Sequence, residues 1–326
     1  MDATSTAGPL LSIVVPVFNE EDSIDLFLDA IAGPLKEAHV ALGPGGRSEI
    51  VFVDDGSFDA TASKIIARLR ERPGLRLVRL SRNFGKDAAL AAGLAHAKGD
   101  AVVPMDVDLQ DPPEILPAMI AAWQRGAKVV NAVRADRSSD TALKRASARL
   151  FYKAFNRLST YPIAADVGDY RLLDRVAVDV LNRLPERIRF MKGLFSWIGF
   201  RQETVAYKRP PRAAGTTKWK FWSLWNFALD GITGSTTLPL RLWTYLGGTI
   251  ALAALLFALF IVGQTLVLGV DTPGYASLIV VTLVMGALNL VALGLLGEYV
   301  GRIAIEVRQR PLYVVEEVLE APEQPS

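Results

Sequence analysis

Two long uncharged stretches near the carboxyl end constrain the fold of this chain more than any other feature. No charged residue lies between Arg241 and Asp271, and none lies between Asp271 and Glu298. Each stretch exceeds the about 20 residues that a helix needs to cross a bilayer. The segment GVDTPGY between them offers a Gly/Pro turn without Lys or Arg. The pattern predicts a transmembrane hairpin with helices at about 243–268 and 275–297; a buried helical hairpin inside a soluble protein is the alternative.

The charges that flank these stretches predict an orientation. Arg241 precedes the first stretch, and Arg302, Arg308 and Arg310 follow the second. Cytoplasmic segments next to membrane helices carry an excess of Lys and Arg. We therefore expect a multi-pass protein of the cytoplasmic (inner) membrane with both termini in the cytoplasm. The amino terminus has no basic segment followed by an apolar core, so no signal peptide is expected.

Composition excludes several function classes. The chain has 36 Lys and Arg against 34 Asp and Glu, a balance that argues against a general nucleic-acid-binding protein. It has no cysteine, which excludes disulfides, thiolate catalysis and cysteine-held metals. With only His39 and His96, a histidine metal cluster is not expected. Any metal must be held by oxygen, which favours Mg²⁺ or Mn²⁺.

Short β-rich runs alternate with helical stretches in the first 135 residues. The runs are LLSIVVPV (10–17), EIVFVDD (49–55), LRLVRLS (75–81), DAVVPMD (100–106) and KVVNAV (128–133). Nearly continuous apolar strands separated by helices indicate a parallel sheet with helices on both faces. The carboxyl ends of such strands form the usual ligand crevice, so the α/β class also predicts where a site lies.

Acidic residues follow two of these strands. Asp54 and Asp55 end the second run, and DVDLQDPP (106–113) follows the fourth. Alternate residues of an extended segment point the same way, so Asp106, Asp108 and Gln110 are predicted to present three oxygens to one divalent cation. Neither common phosphate-binding loop is present. The alternatives are a turn with a helix cap for DDGS and a surface acidic loop for the later segment.

Basic side chains follow the fifth run. Arg134 and Arg137 are placed at the mouth of the crevice, and Lys144 with Arg145 open the next helix. A second basic group, Arg212 and Lys218, lies in the Gly/Pro-containing segment PPRAAGTTK. Arginine donors match phosphate oxygens in pairs, so these six residues are candidates for binding a phosphate. Arg149, Lys153 and Arg157 continue the helical stripe that begins at Arg145, and a solvated helix face is the alternative for Arg149 onward.

Aromatic residues crowd the region before the uncharged stretches. Five of the six tryptophans lie between Trp197 and Trp243, a crowding typical of a membrane interface. In RFMKGLFSWIGF, Met191 and Phe195 recur at helical spacing. We interpret this segment and the tryptophans at 219, 222 and 225 as amphipathic helices lying on the bilayer. Ordinary packing between domains is the alternative.

A string of motifs resembles one enzyme family. SIVVPVFNEE, VDDGS, LSRNFGK and DVDLQDPPE are similar, in this order, to the GT-A domain of family 2 glycosyltransferases. GDYRLLDR, RFMKGLFSWIGF, KRPPRAAGTTKW and FALDGITGSTTLPLR resemble bacterial polyprenyl-phosphate glycosyltransferases, relatives of dolichol-phosphate mannose synthase with two membrane helices. The resemblance runs from about residue 10 to about residue 310. Val107 departs from it, since the family usually has alanine there.

The resemblance implies a domain organisation. Residues 1–210 would form a cytoplasmic GT-A catalytic domain with a Rossmann-like, mostly parallel sheet. Residues 211–240 would form interfacial helices and an acceptor loop, residues 241–300 the two membrane helices, and residues 301–326 a cytoplasmic tail. The family often assembles as homo-oligomers, with a tetramer as one possibility.

The resemblance also implies roles for particular residues. The residues that would bind the nucleotide are Pro16, Phe18, Asn19, Glu20, Asp54, Asp55, Lys86 and Asp106. Asp106, Asp108 and Gln110 would hold Mg²⁺ or Mn²⁺. Asp169 matches the acidic residue usually proposed as catalytic base, and Asp108 joins it as catalytic. The acceptor phosphate is already largely ionised at neutral pH, because its second pKa is about 6, so general-base catalysis by Asp169 stays a hypothesis.

The implied activity is inverting transfer of one sugar from a nucleotide-sugar, UDP-glucose first, to polyprenyl phosphate for cell-envelope glycan synthesis. UDP-GlcNAc, UDP-galactose, a UDP-aminosugar and GDP-mannose stay open as donors. A processive polysaccharide synthase is a rival, but the chain lacks a Q-x-x-R-W motif and has only two predicted spans. A non-catalytic nucleotide-sugar sensor or membrane scaffold is the other rival.

Overall fold

The computed structural model describes residues 8–134, 167–186, 191–207, 238–268 and 274–321. Eight strands in these residues form one sheet. In chain order they are β1 (Leu10–Val17), β2 (Arg47–Asp54), β3 (Leu75–Leu80), β4 (Ala101–Pro104), β5 (Val129–Arg134), β6 (Val167–Asp174), β7 (Gln202–Tyr207) and β8 (Val315–Glu320). Their spatial order is β7-β5-β6-β4-β1-β2-β3-β8.

The described helices cover the sheet or follow it. They are α1 (Ser23–Leu42), α2 (Thr61–Leu69), α3 (Lys86–His96), α4 (Leu116–Gln124), α5 (Arg175–Arg183), α6 (Met191–Trp197), α7 (Leu238–Leu268) and α8 (Tyr275–Arg308), with a single 3₁₀ turn at Pro113–Ile115. The five strands expected in the first 135 residues are all present. The mixed α/β class is thus confirmed.

The sheet is buried on both faces, as near-continuous apolar strands require. Ile13 and Val15 of β1 pack into one apolar cluster with Phe27 of α1. Val14, between them, packs into a second cluster on the opposite face with Leu90 of α3. Each cluster excludes water from one side of the central strands, so the carboxyl ends of those strands are held in a rigid frame.

Helix α3 lies directly on the sheet because one of its residues has no side chain. A Cβ atom on Gly93 would collide with Cγ1 of Val14 and lie 3.1 Å from Cγ2 of Val53. Any larger residue would push the helix away from the sheet. The close approach matters for the site, since α3 begins at Lys86.

Strand pairing is parallel in the centre and mixed at the edges. β1 pairs parallel with β2 and with β4, and β2 pairs parallel with β3. β6 lies between β4 and β5 and runs antiparallel to both of them. β5 pairs parallel with β7 on its other side. β8 then adds to β3 in the antiparallel direction. The expectation of a mostly parallel sheet therefore describes its centre, and the sequence reasoning did not include the last three strands.

Helix α6 corrects one interpretation of the aromatic region. Met191 and Phe195 are 2% and 1% exposed and pack against Leu181 of α5. An apolar face that contacts the protein core is not available to a bilayer surface. Packing between elements therefore replaces the interfacial interpretation for the described part of this segment, in which Trp197 at the end of α6 is exposed. The tryptophans at 219, 222 and 225 lie outside the described residues.

The two long helices near the carboxyl end have exposed apolar side chains. In the described part of the chain, Val284–Arg308 is long and apolar enough to cross a membrane, and Tyr245–Phe257 is a shorter apolar helix. Both lie within the uninterrupted helices α8 and α7. One helix of sufficient length and hydropathy is consistent with a membrane protein. The predicted hairpin of two membrane helices needs a second span, which this finding does not supply.

The described residues after α8 include a strand. After α8 ends at Arg308, six residues lead into β8, which pairs with β3 from Arg76 to Leu80. The proposed boundary at residue 301 thus falls inside α8, and the segment assigned to a tail contains a strand of the α/β sheet.

Candidate active site

A cavity of about 420 Å³ opens at the carboxyl ends of β1, β2 and β4. Its lining consists of Pro16, Val17, Phe18, Glu20, Asp55, Asn83, Gly85, Lys86, Ala89, Asp106, Val107 and Asp108. Seven of the residues that the sequence marked for nucleotide or metal binding are therefore brought together: Pro16, Phe18, Glu20, Asp55, Lys86, Asp106 and Asp108. The crevice lies where the parallel strands predict it.

Asp55 holds the loop between β3 and α3 against the cavity. Its carboxylate is 3% exposed and accepts hydrogen bonds from the amides of Phe84 and Gly85 at 2.7 and 2.8 Å. Burial raises the pKa of Asp55, and these two amides offset part of that rise. One buried carboxylate thus positions the segment that contributes Asn83, Gly85 and Lys86 to the lining.

Lys86 is the central cation of the cavity. Its Nζ lies 2.7 Å from Oδ1 and 2.9 Å from Oδ2 of Asp106, and 3.6 Å from Oδ2 of Asp169. Burial alone would lower the pKa of Lys86, but the carboxylates of Asp106 and Asp169 outweigh it and raise that pKa. Lys86 therefore stays an ammonium ion at neutral pH. The contact also brings Asp169, which lies on β6, next to the carboxylate that follows β4.

The segment after β4 is a turn, so the predicted extended arrangement of three metal ligands is wrong. Strand β4 ends at Pro104, and Leu109 has a φ of 57°. The amide of Gln110 donates to Oδ1 of Asp108 at 3.2 Å. Because the chain reverses here, Gln110 is 6% exposed and is not part of the lining, whereas Asp106 and Asp108 are.

Two carboxylates fit a divalent cation in a limited way. Within the described residues, no group of three His, Cys, Asp or Glu side chains is placed to hold a metal ion. Asp106 and Asp108 nevertheless offer hard oxygen donors at one wall of the cavity. Mg²⁺ commonly binds one or two carboxylates and takes its other ligands from water and substrate phosphates. The donor set matches that mode of binding.

The loops after β1 and β2 are tied together by hydrogen bonds. The amide of Asn19 donates to Oγ of Ser57 at 2.9 Å, and the amide of Phe58 donates to Oδ1 of Asn19 at 3.1 Å. Asn19 adopts a φ of 53°, which asparagine tolerates better than most residues. Asn19 was expected to contact the nucleotide; here it positions Phe18, whose ring packs edge to face on Phe58 at 5.8 Å.

Asp54 lies behind the cavity. Its side chain is fully buried, with Oδ1 accepting from the amide of Ser57 at 3.0 Å and Oδ2 lying 3.6 Å from Nε of Arg79. It is not among the lining residues. The sequence placed Asp54 and Asp55 in the same role, whereas alternation along β2 points their side chains in different directions.

Strand β6 places a buried cation two residues beyond Asp169. Arg171 is 3% exposed, lies 3.8 Å above the ring of Phe195, and donates to the carbonyl of Gly168 at 2.6 Å. Burial lowers the pKa of Arg171 to about 10, and Asp169 opposes that shift. Next to it, Tyr170 donates its hydroxyl to the carbonyl of Pro112 at 2.8 Å, so β6 is anchored to the turn that carries Asp106 and Asp108.

The basic residues predicted to bind a phosphate are described only in part. Arg134 ends β5, where it pairs with Tyr207 of β7, and it is not in the cavity lining. Arg137, Lys144, Arg145, Arg212 and Lys218 lie outside the described residues. Asn83 and Gly85 are lining residues that sequence reasoning missed, although the polar run after the third strand, within LSRNFGK, was the available signal.

Comparison with known proteins decides the family. The model of glycosyl transferase family 2 matches residues 12–181, which include Asp55, Lys86, Asp106 and Asp169. This chain belongs to glycosyl transferase family 2. It is therefore a glycosyltransferase, and the cavity at the carboxyl ends of its strands is the candidate active site of that enzyme.

Relatives match the family 2 chain over nearly all of its length. The SfII prophage-derived bactoprenol glucosyl transferase of Shigella flexneri is 48% identical over 307 residues, covering 94% of this chain and 97% of the relative. An uncharacterized glycosyltransferase of Synechocystis is 47% identical over 311 residues, covering 94% and 95%. A solved mannosyltransferase from Pyrobaculum calidifontis, in complex with GDP-Man and Mn²⁺, is similar with a TM-score of 0.41 and 20% identity over 88% of each chain.

Proposed function

We propose that this enzyme transfers a single sugar from a nucleotide-sugar to the phosphate of a polyprenyl lipid of the undecaprenyl type. The observation that carries the proposal is the cavity that Asp55, Lys86, Asp106 and Asp108 line together. Lys86 contacts Asp106 there, and Asp169 approaches the same ammonium from β6. A relative 48% identical over 94% of the chain is a bactoprenol glucosyl transferase. Since the match extends through the carboxyl-terminal helices, it supports a shared acceptor as well as a shared fold.

UDP-glucose is the donor that we favour. Glucosyl transfer is the activity in the name of the Shigella flexneri relative. Phe18, Glu20 and Asp55 line the part of the cavity formed by the loops after β1 and β2, where a base and a ribose would bind. The side chain of Phe18 is 39% exposed and offers a flat apolar surface to a base.

The diphosphate of the donor would face Asp106, Asp108 and Lys86. A bound Mg²⁺ or Mn²⁺ held by Asp106 and Asp108 would neutralise charge that develops on the leaving diphosphate. The ammonium of Lys86, now 2.7 Å from Asp106, supplies a positive charge at the same place without a metal. Both carboxylates lie at the end of a buried sheet, so the charges are fixed before the substrate arrives.

The transfer itself is a single displacement with inversion. An oxygen of the lipid phosphate forms a bond to the anomeric carbon, the bond from that carbon to the diphosphate oxygen breaks, and its electron pair leaves with the nucleotide. The attacking phosphate has a second pKa of about 6 and is largely a dianion at neutral pH. Little proton abstraction is needed, so we assign Asp169 to holding Lys86, from which it lies 3.6 Å, rather than to general-base catalysis.

The acceptor would arrive from the membrane. We propose that α7 and α8 form two membrane spans at about 243–268 and 275–297, with the α/β domain and both termini in the cytoplasm. The basic residues Arg134, Arg137, Lys144, Arg145, Arg212 and Lys218 would guide the lipid phosphate to the cavity. Assembly as a homo-oligomer belongs to the same proposal.

One experiment separates this activity from its rivals. Purified full-length protein is incubated with labelled UDP-glucose, Mn²⁺ and undecaprenyl phosphate, and the lipid is extracted. A labelled lipid that mild acid cleaves is expected. Parallel reactions with UDP-GlcNAc, UDP-galactose and GDP-mannose identify the sugar, since the better donor gives more labelled lipid. If the protein binds the donor but never cleaves it, the protein is a nucleotide-sugar-binding protein and the proposed enzymatic activity is wrong.

A further inference from the structure

The final described strand closes the edge of the sheet next to the candidate active site. β8 pairs with β3 from Arg76 opposite Glu320 to Leu80 opposite Val315. The amide of Ser81 continues the pairing to the carbonyl of Val314 at 3.0 Å. Only six residues separate β8 from the end of α8. The longest apolar helix is thus connected by a short link to the edge of the catalytic sheet.

Carboxylates of β8 contact β3 at two separate places. At the end near the cavity, Arg79 donates to Oε1 of Glu317 at 3.0 Å, and its Nε lies 3.7 Å from Oε2 of Glu316. At the opposite end, Arg76 lies 3.1 Å from Oε1 of Glu320, and Lys98 lies 3.3 Å from the same atom. Both sets of contacts hold β8 on the sheet, but only the set around Arg79 lies at the end of β3 that faces the active site.

Arg79 of β3 contacts β8 on one side and the buried Asp54 of β2 on the other. Its Nε lies 3.6 Å from Oδ2 of Asp54, a side chain that is fully buried. Within the described part of the chain, Oδ2 accepts no hydrogen bond. A buried carboxylate without a cation is costly, so the guanidinium of Arg79 stabilises the charge of Asp54. Glu317, with Glu316 adding to it, in turn raises the pKa of Arg79.

Asp54 organises the loops that form the cavity wall. Its Oδ1 accepts from the amide of Ser57, and Oγ of Ser57 accepts from the amide of Asn19. The turn is tight: Gly56 has a φ of 71°, and a Cβ there would lie 2.5 Å from the backbone of Arg82. Asn19 lies between Phe18 and Glu20, both of which line the cavity. The contacts therefore run without interruption from β8 to the cavity.

We propose that β8 is a positioning element of the donor site: Glu316 and Glu317 hold Arg79 against Asp54, and Asp54 fixes the turn that places Phe18 and Glu20 around the nucleotide. Arg79, Glu316 and Glu317 touch no substrate and act through Asp54. The apolar helix α8 is thereby followed, after six residues, by a strand that shapes nucleotide binding. The expected effect of β8 on donor binding rests on the nucleotide-sugar transfer proposed above. Its expected effect on the order of the loop does not.

The test compares the two ends of β8 in the full-length protein. In Glu316→Gln/Glu317→Gln, Arg79 loses its outer partners, and we expect the KM for UDP-glucose to rise about fivefold, as for loss of an exposed ion pair, with kcat unchanged. Arg79→Met removes the cation itself and should raise that KM about tenfold, while Arg79→Lys restores part of the loss. Glu320→Gln, the matched control, should keep KM within about twofold of the wild type.

A second measurement does not depend on the substrate. Hydrogen exchange of the Asn19, Ser57 and Phe58 amides, without donor, should accelerate in Arg79→Met and in the double variant but not in Glu320→Gln. Unchanged exchange in Arg79→Met, or equal changes in KM for the two ends of β8, would overturn the positioning role. Wild-type protein that does not transfer from UDP-glucose would instead overturn the proposed function, and the exchange measurement would still decide the role of β8.

Discussion

The central sheet and the two long helices are both rich in apolar residues but differ in what covers them. In the sheet, Val14, Val53 and Leu77 have no exposed surface. In the helices, Leu259, Leu290 and Leu293 are 60%, 72% and 64% exposed. The sheet is covered by helices of the same chain, whereas the outer surface of α7 and α8 has no cover among the described residues.

The difference teaches that hydrophobicity alone does not tell a core from a membrane segment. Exposed apolar surface on helices of 31 and 34 residues is far larger than soluble proteins normally tolerate. Lipid tails can cover such surface, because a helix satisfies its own backbone hydrogen bonds. Polar groups that do chemistry therefore concentrate where the sheet meets water, at the ends of its strands.

The largest expected effect tests whether chemistry is confined to that polar end of the sheet. Asp106→Asn removes the charge that contacts Lys86 at 2.7 Å, and we expect kcat/KM for sugar transfer to fall about 10³-fold. Asp29→Asn, at an exposed carboxylate paired with Arg72, is the control and should keep wild-type activity. Equal activities would place the reaction elsewhere in the molecule.

The next prediction compares the same truncation in the two regions. Leu28 of α1 is 1% exposed, so Leu28→Ala should lower the free energy of unfolding of the α/β domain by about 2–4 kcal/mol. Leu293→Ala on α8 removes side-chain atoms that touch no core and should change it by less than about 0.5 kcal/mol. Denaturant titrations in detergent measure both. A comparable loss in the second variant would show that α8 packs against the domain.

A smaller effect concerns how the stability of the α/β domain depends on pH through the carboxylate of Asp174. Burial would raise the pKa of Asp174, but hydrogen bonds from Trp123 and Lys128 outweigh it and lower that pKa below 3.8. The resulting stability is present above pH 3.8 and is lost as the pH falls through the lowered value of the folded state.

Asp174→Asn keeps the N-cap of α5 while removing the charge. We expect it to destabilise the domain by about 1 kcal/mol at pH 7, with the difference shrinking below the ordinary Asp pKa. Thermal unfolding between pH 7 and pH 3 measures this. A difference that is independent of pH would mean that the charge contributes nothing.

The smallest prediction concerns one hydroxyl that links two parts of the site. Tyr170→Phe leaves the carbonyl of Pro112 without its donor at 2.8 Å and should destabilise the domain by about 1 kcal/mol. Because the turn with Asp106 and Asp108 rests on this bond, kcat should fall more than KM changes. If stability falls while kcat is unchanged, Tyr170 anchors β6 without positioning the carboxylates.

Local pattern was enough for much of the fold and part of the site. The apolar runs placed β1 to β5, because a strand buried on both faces must be apolar at nearly every residue. The motifs named Phe18, Asp55, Lys86, Asp106 and Asp108, all of which meet at one cavity. Alternation failed for Gln110, since a turn at Leu109 interrupts the extended chain that the pattern assumed.

By itself the sequence determined the class of fold, the family, the apolar helices and the end of the sheet at which acidic residues collect. Tertiary structure decided the rest: that Asp54 is buried against Arg79, that Met191 and Phe195 belong to the core, and that Val315–Glu320 returns to β3. The physical reason is the separation along the chain over which each kind of interaction acts. Periodicity and turn chemistry act between near neighbours, whereas Arg79 and Glu317 are 238 residues apart and meet only when the sheet is complete.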